Sequence, residues 1–417
     1  MFKSATATIP PVKQASSGKN AILIIGMLFF ILGFVTWLNG TLIPFLKLAC
    51  QLETDFQAFL VTSAFYMSYF LLAVPSSFIL KKTGYKNGMA LGLLVMAAGS
   101  LVFIPAANSR NYALFLTGLF IQGCGLTILQ TASNPYISII GPMESAAKRI
   151  SIMGFCNKIA GAISPIIVGS IVLKGAGELE NRINATTNLT DKEALLNQLA
   201  GRIIMPYLVM AVILVLLALV TKKSSLPEID APEDEPGKDG AASKTSVFQY
   251  PHLLLGVLCL FLYVGVEVMA GDAIGIYGRS IGISLEKTRY FTSFTLVSML
   301  AGYIVGIICI PKIISQQTGL KLSAIAGLVF SACVFLTSGY TSITFIALLG
   351  LANALMWPAI FPLAIAGLGR FTKTGAALLI MGIVAGAIIP LVYAGLKEIP
   401  SIGNSLAFFL CMFPAYL

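Results

Sequence analysis

The spacing of the apolar runs limits this chain more than any other feature. From residue 20 to the end, most of it falls into stretches nearly free of charge, each about as long as a bilayer is thick for a helix, roughly 20 residues. By that length rule, helices are expected at 20–47, 56–80, 87–106, 111–141, 149–173, 203–221, 250–278, 288–311, 321–338, 341–367, 374–396 and 403–417. The last has only 15 residues and reads as a truncated twelfth helix. Only 11% of the 417 residues are charged, against about 25% in a soluble globular protein. The expected class is therefore an all-α membrane protein with twelve spans.

The spans divide six and six. Lys222 to Ser246 contains SSLPEIDAPEDEPGKDGAASK, whose proline, glycine and clustered acids read as a solvated linker. The expected divisions are an N-terminal bundle at 1–221, a linker at 222–247 and a C-terminal bundle at 248–417. A second long segment, Gly175 to Arg202, reads as a polar loop. The halves share a register at an offset of 225 residues. Gly125-Leu126 matches Gly350-Leu351, Lys148 matches Lys373, Ala160-Gly161-Ala162-Ile163 matches Ala385-Gly386-Ala387-Ile388, and Pro165 matches Pro390. Parallel repeats with a polar site between them are a transporter architecture.

The net charge of +10 does not imply nucleic acid, because the Lys and Arg residues are scattered in short clusters between apolar runs. Placing both termini in the cytoplasm puts 16 of the 27 on the inside, in keeping with the positive-inside rule. The first 20 residues carry no cleavable signal pattern. The seven cysteines form no CxxC pair, and His252 is the single histidine. No nucleophile–base pair, metal cluster or phosphate loop is visible, so no catalytic residues, metal or cofactor are expected and an enzyme is disfavoured.

Three charges lie deep in predicted helices: Lys158, Glu267 and Asp272. Each costs about 2.5–3.5 kcal/mol at the bilayer centre even on mild scales, which marks a pathway or a coupling site. The structural alternative is an ion pair tying the halves together. The two acids are five residues apart, so a straight helix points them about 140° apart. They share a cavity only if the seventh helix breaks, for which Gly271 and Gly275 offer the place. A weak alignment of the halves on Gly33 and Gly265 sets Gly40 against Asp272. Gln130 and Asn134 stack on one helical face, and Asn157 lies in the next helix. Their amides offer the donor and acceptor that sugar hydroxyls need, or they bond between helices. Asn39 precedes Gly40 and Pro44 in a softened first helix, as a ligand or as part of a packing kink. Trp37 and Trp357 lie mid-segment, either against a pyranose face or in the core. Asn353, four residues before Trp357, makes the tenth helix a candidate sugar wall.

These motifs resemble the fucose–galactose–glucose symporter branch of the major facilitator superfamily. LNGTLIPFLK, SAFYMSYFLLAVPSS, KKTGYKNGMALG, LQTASNPYISIIGP, FCNKIAG and NALMWPAIFPLAI carry the resemblance through nearly the whole chain. It implies the major facilitator fold, with helices one, four, seven and ten around a cavity that alternates between the two sides. Fucose-carrying members have acids where this chain has Gly40 and Gln130, and a glutamine where it has Gly154; their nearby asparagine matches Asn157. Lys81 replaces the usual acid of the loop after helix two. The implied protein is a monomeric carrier of a neutral hexose (glucose, galactose or mannose) in the bacterial inner membrane, surrounded by lipid and driven by Na+ or H+. Glu267, Asp272 and Lys158 are the candidates for ion coupling. The alternatives are a fucose or N-acetylglucosamine symporter and a non-transporting sugar sensor.

Overall fold

The computed structural model describes residues 18–140, 146–224, 226, 245–310 and 312–417. All regular structure among them is helical. Most of the predicted linker, 222–247, lies outside the described residues.

The first span is α1 (Gly18–Thr36) and α2 (Asn39–Ala49), separated by a turn at Trp37-Leu38. Spans two and three run together in α3 (Asp55–Ser109), which bends at Gly84, where φ is 75°. Only glycine takes that backbone region at little cost. Thr54 and Gln57 start α3 with a reciprocal capping box. Then come α4 (Tyr112–Ile139) and α5 (Ala146–Val172). The expected polar loop is instead two short helices, α6 (Ala176–Ala185) and α7 (Leu189–Gly201). Leu179, Ile183, Leu196 and Leu199 bury one stripe of this hairpin, and the Asn188 side chain caps α7. Charged residues on the other faces hide that period from a hydropathy window. The sixth span is α8 (Ile204–Lys223).

The second half repeats the plan. Its first span is α9 (Pro251–Asp272) and α10 (Ile274–Ser280), interrupted at Ala273. After α11 (Leu285–Thr288) come α12 (Phe291–Cys309) and α13 (Gln316–Leu336). The tenth span is α14 (Gly339–Asn353) and α15 (Met356–Ile365), with a turn at Ala354-Leu355. The eleventh is α16 (Thr372–Met381) and α17 (Ala385–Lys397), and the chain ends in α18 (Gly403–Tyr416). Among the described residues, ten helical stretches are long and apolar enough to cross a membrane, and one of them, Asp55–Ser109, holds two passes. With α18, this agrees with twelve spans.

The halves meet where α5 packs on α12 and where α3 packs on α16 and α17. Side-chain hydroxyls stitch this seam. Ser293 donates to the Ala162 carbonyl at 2.8 Å and Ser63 to the Ala387 carbonyl at 2.9 Å. At one end of the bundle, Asp55 bridges Lys47 and Lys397, and Arg279 pairs with Glu180 at 3.0 Å. At the other end, α4 meets α16 and α5 meets α15.

Candidate functional site

Between the halves lies a cavity of about 90 Å³. The interrupted spans and α4 and α5 supply most of its polar wall.

On α4, Gln130 donates its amide to the Tyr69 hydroxyl at 2.9 Å. One turn on, Asn134 donates to the Gln130 backbone carbonyl at 3.0 Å, and its own amide oxygen is buried without a partner. Both residues line the cavity, as their shared helical face requires. On α5, the Asn157 amide oxygen accepts from the Trp37 indole at 3.2 Å, and its nitrogen reaches the Phe29 carbonyl at 3.4 Å. Asn157 therefore holds Trp37 as well as lining the cavity.

Lys158 crosses the seam and donates to Glu267 at 3.0 Å. The ammonium also lies 3.9 Å from the centre of the Trp37 ring, a cation–π contact. Trp37 is thus clamped between Asn157 and Lys158. Its ring needs glycine on both sides. A Cβ at Gly161 would come within 2.4 Å of the indole, and one at Gly271 within 2.3 Å.

The helix interruptions settle which predicted residues share the wall. Trp357 lines the cavity, stacked on Phe361 with 5.8 Å between ring centres. Asn353 does not line it, although only four residues away. The turn at Ala354-Leu355 comes between them, and the Asn353 oxygen accepts from Tyr416 at 2.8 Å. Asn39 and Asp272 also lie off the wall, each 1% exposed. Asn39, Trp37 and Asp272 all sit beside the interruptions in the first and seventh spans.

Sequence reading missed Tyr69, Tyr263 and Tyr303, which line the cavity. Tyrosine in an apolar helix serves the core as readily as a site, so each alone carries no signal. Tyr263 could have been found from its spacing, four residues before Glu267 on one face. Tyr303 fills space left by a glycine: a Cβ at Gly154 would lie 2.5 Å from its ring.

The closest backbone approach beside the site is at Gly33. A Cβ there would fall 2.0 Å from the Asn157 carbonyl oxygen, so α1 and α5 touch main chain to main chain. Neither partner is a flexible side-chain end that could swing away. Gly33→Ala is expected to cost about 1–3 kcal/mol of stability and to pull Trp37 off Asn157. Gly395→Ala, where a Cβ meets nothing within 4 Å, should be neutral or slightly stabilising. Thermal melts of the two purified variants check the contrast.

Residues 25–392 match the family described as "Major Facilitator Superfamily". The chain is 33% identical to the "Glucose/galactose transporter" of Brucella abortus, over 98% of this chain and 95% of that protein. It is 28% identical to the "L-fucose-proton symporter" of Escherichia coli, over 90% of this chain and 87% of that one. Among solved structures, a major facilitator transporter, FucP, crystallised in the outward conformation, superposes with a TM-score of 0.76 at 25% identity, covering 96% of this chain and 98% of that one.

Proposed function

The chain belongs to the major facilitator superfamily, and from that premise we propose that it imports a neutral hexose of the glucose or galactose type by ion-coupled alternating access. The observation that carries this reading is the composition of the cavity between the halves. Amides at Gln130, Asn134 and Asn157 line it, with an aromatic face at Trp357; Trp37, clamped by Asn157 and Lys158, backs the wall. Amides serve hydroxyls as donor and acceptor at once, and an aromatic face suits the C–H side of a pyranose. The ammonium that lines the cavity, Lys158, is matched by Glu267, which suits an uncharged substrate. The relatives named for glucose, galactose and fucose point to the same class.

In this reading the halves, 1–221 and 248–417, rock about the site, with 222–247 as a cytoplasmic tether in an inner-membrane monomer. The pairs of Asp55 with Lys397 and of Glu180 with Arg279 then close the outer end. The half-exposed Arg279–Glu180 pair contributes only about 0–1 kcal/mol; the more buried Asp55–Lys397 pair is the stronger latch.

Counterflow of labelled glucose in proteoliposomes, with a panel of unlabelled sugars, tests the substrate. Glucose and galactose should compete; competition by fucose alone would reassign the sugar. Gln130→Ala and Asn157→Ala should each weaken sugar binding about tenfold, or 1.4 kcal/mol, because a site built for hydroxyls discriminates strongly when a partner is missing. Unchanged affinity by calorimetry, in folded variants, would remove these residues from the site.

A further inference from the structure

We propose that Asp272 and Asn39 are ligands of an alkali-cation site, for an ion of sodium's size, at the interruptions of the first and seventh spans. The site would hold the driving ion of the coupled transport proposed above, and so rests on that reading for its purpose. Its binding chemistry stands on its own observations.

The first is a count of buried charge. Among the described residues, the buried charged side chains are Lys158, Glu267 and Asp272. Two carboxylates share one ammonium, which leaves the cluster one positive charge short. Lys158 has chosen its partner: it bonds Glu267 at 3.0 Å. Asp272 keeps the deficit. Neither of its oxygens has a hydrogen-bond partner, although the Gly40 amide faces the carboxylate. A buried carboxylate left so is costly unless something neutralises it.

The second observation is a neutral ligand in the same place. Both amide atoms of Asn39 are buried, and neither makes a hydrogen bond of good geometry. The Tyr66 hydroxyl lies within hydrogen-bonding reach of Asn39 and feels the charge of Asp272, which places the two groups in one neighbourhood. An unpartnered carboxylate and an amide oxygen without a well-formed hydrogen bond are hard donors, the kind that alkali and alkaline-earth ions take. The third is the helix end. Asp272 closes α9, and carbonyls there lack intrahelical donors. Gly271 accepts from Thr292 at 2.8 Å and Ala270 from Thr295 at 2.9 Å instead. The C-terminal end of a broken helix carries partial negative charge, which favours a cation.

These features favour an alkali ion over a proton. A proton on Asp272 would lack an acceptor at about 2.5–3.0 Å: the group facing the carboxylate is the Gly40 amide, itself a donor. A larger ion bridges a wider gap between two oxygens. The glycines are consistent with the close assembly: a Cβ at Gly40 would meet the Thr292 hydroxyl at 2.4 Å.

Trp37 offers the readout, because its ring rests on Gly271 beside Asp272. The chain has two tryptophans, so Trp357→Phe leaves Trp37 as the only indole. Sodium chloride is titrated into that purified protein without sugar, against choline chloride at equal ionic strength. A saturable change in Trp37 emission is expected with sodium alone. Asp272→Asn should abolish it, and Asn39→Ala should weaken the apparent affinity at least tenfold. The chain with both tryptophans should melt higher in sodium than in choline, as a ligand of the folded state requires; this arm does not depend on any variant folding. No sodium-specific signal in either measurement, a signal unchanged in Asp272→Asn, or one reproduced by pH alone would overturn the proposal. Labelled-sugar binding to the chain with both tryptophans reports separately on the transporter reading. A sodium response without sugar binding would leave the cation site standing and remove the hexose.

Discussion

Lys158→Met is expected to lower the melting midpoint of the purified protein by on the order of 10 °C. The substitution keeps the length of the side chain and removes its charge. Glu267 and Asp272 then remain buried together with no positive partner among the described side chains. Breaking a buried pair by removing one member costs about 3–5 kcal/mol, mostly as the desolvation of the group left behind. The indole of Trp37 also loses the ammonium 3.9 Å above it. Glu267→Gln should be milder, because Lys158 can still satisfy Asp272 in part. The double variant Lys158→Met/Glu267→Gln should recover part of the loss, since it removes one of the two carboxylates left without an ammonium and Asp272 stays unpaired. A double-mutant cycle from thermal melts isolates this coupling. If both single variants melt like the parent, Lys158 and Glu267 do not form a buried pair, and the charge deficit assigned to Asp272 disappears with it.

Much of the fold was legible because it depends on local properties. A run of apolar residues as long as a bilayer is a span whatever packs against it. The duplication at Ala160–Ile163 and Ala385–Ile388 set the two halves in register before any contact was known. The hairpin of α6 and α7 was not legible as structure, because half of each short helix is charged and an averaging window sees only polarity. Bends were found approximately. Asn39-Gly40 announced an interruption, and the turn falls just before it at Trp37-Leu38.

The site was legible by residue type and less so by partnership. Lys158, Glu267 and Asp272 stood out because lipid penalises charge, but which acid takes the lysine depends on how the two halves bring together residues 109 apart in sequence. Four-residue spacing placed Gln130 and Asn134 side by side correctly, since α4 is continuous there. The same spacing fails for Asn353 and Trp357, because a turn separates them and Tyr416 takes the asparagine. Tyr303 had no signal of its own; the vacancy at Gly154 that it fills exists only in three dimensions.

Asp272→Asn is expected to abolish accumulation of labelled glucose while sparing exchange of sugar for sugar. Exchange needs only the cavity and the rocking of the halves. Accumulation needs a driving ion to bind on one side and leave on the other, and Asp272 is the buried carboxylate left without a partner. The carboxamide keeps the shape and removes the charge, so the cavity wall at Gln130, Asn157 and Trp357 stays intact. The most direct measurement is uptake into sealed proteoliposomes with a sodium or a proton gradient imposed separately. The expected result is that the parent protein concentrates glucose above the external level under an inward sodium gradient and Asp272→Asn only equilibrates it. Accumulation by Asp272→Asn at the parent level, or no gradient-driven accumulation by the folded parent protein, would contradict ion-coupled hexose transport through this site.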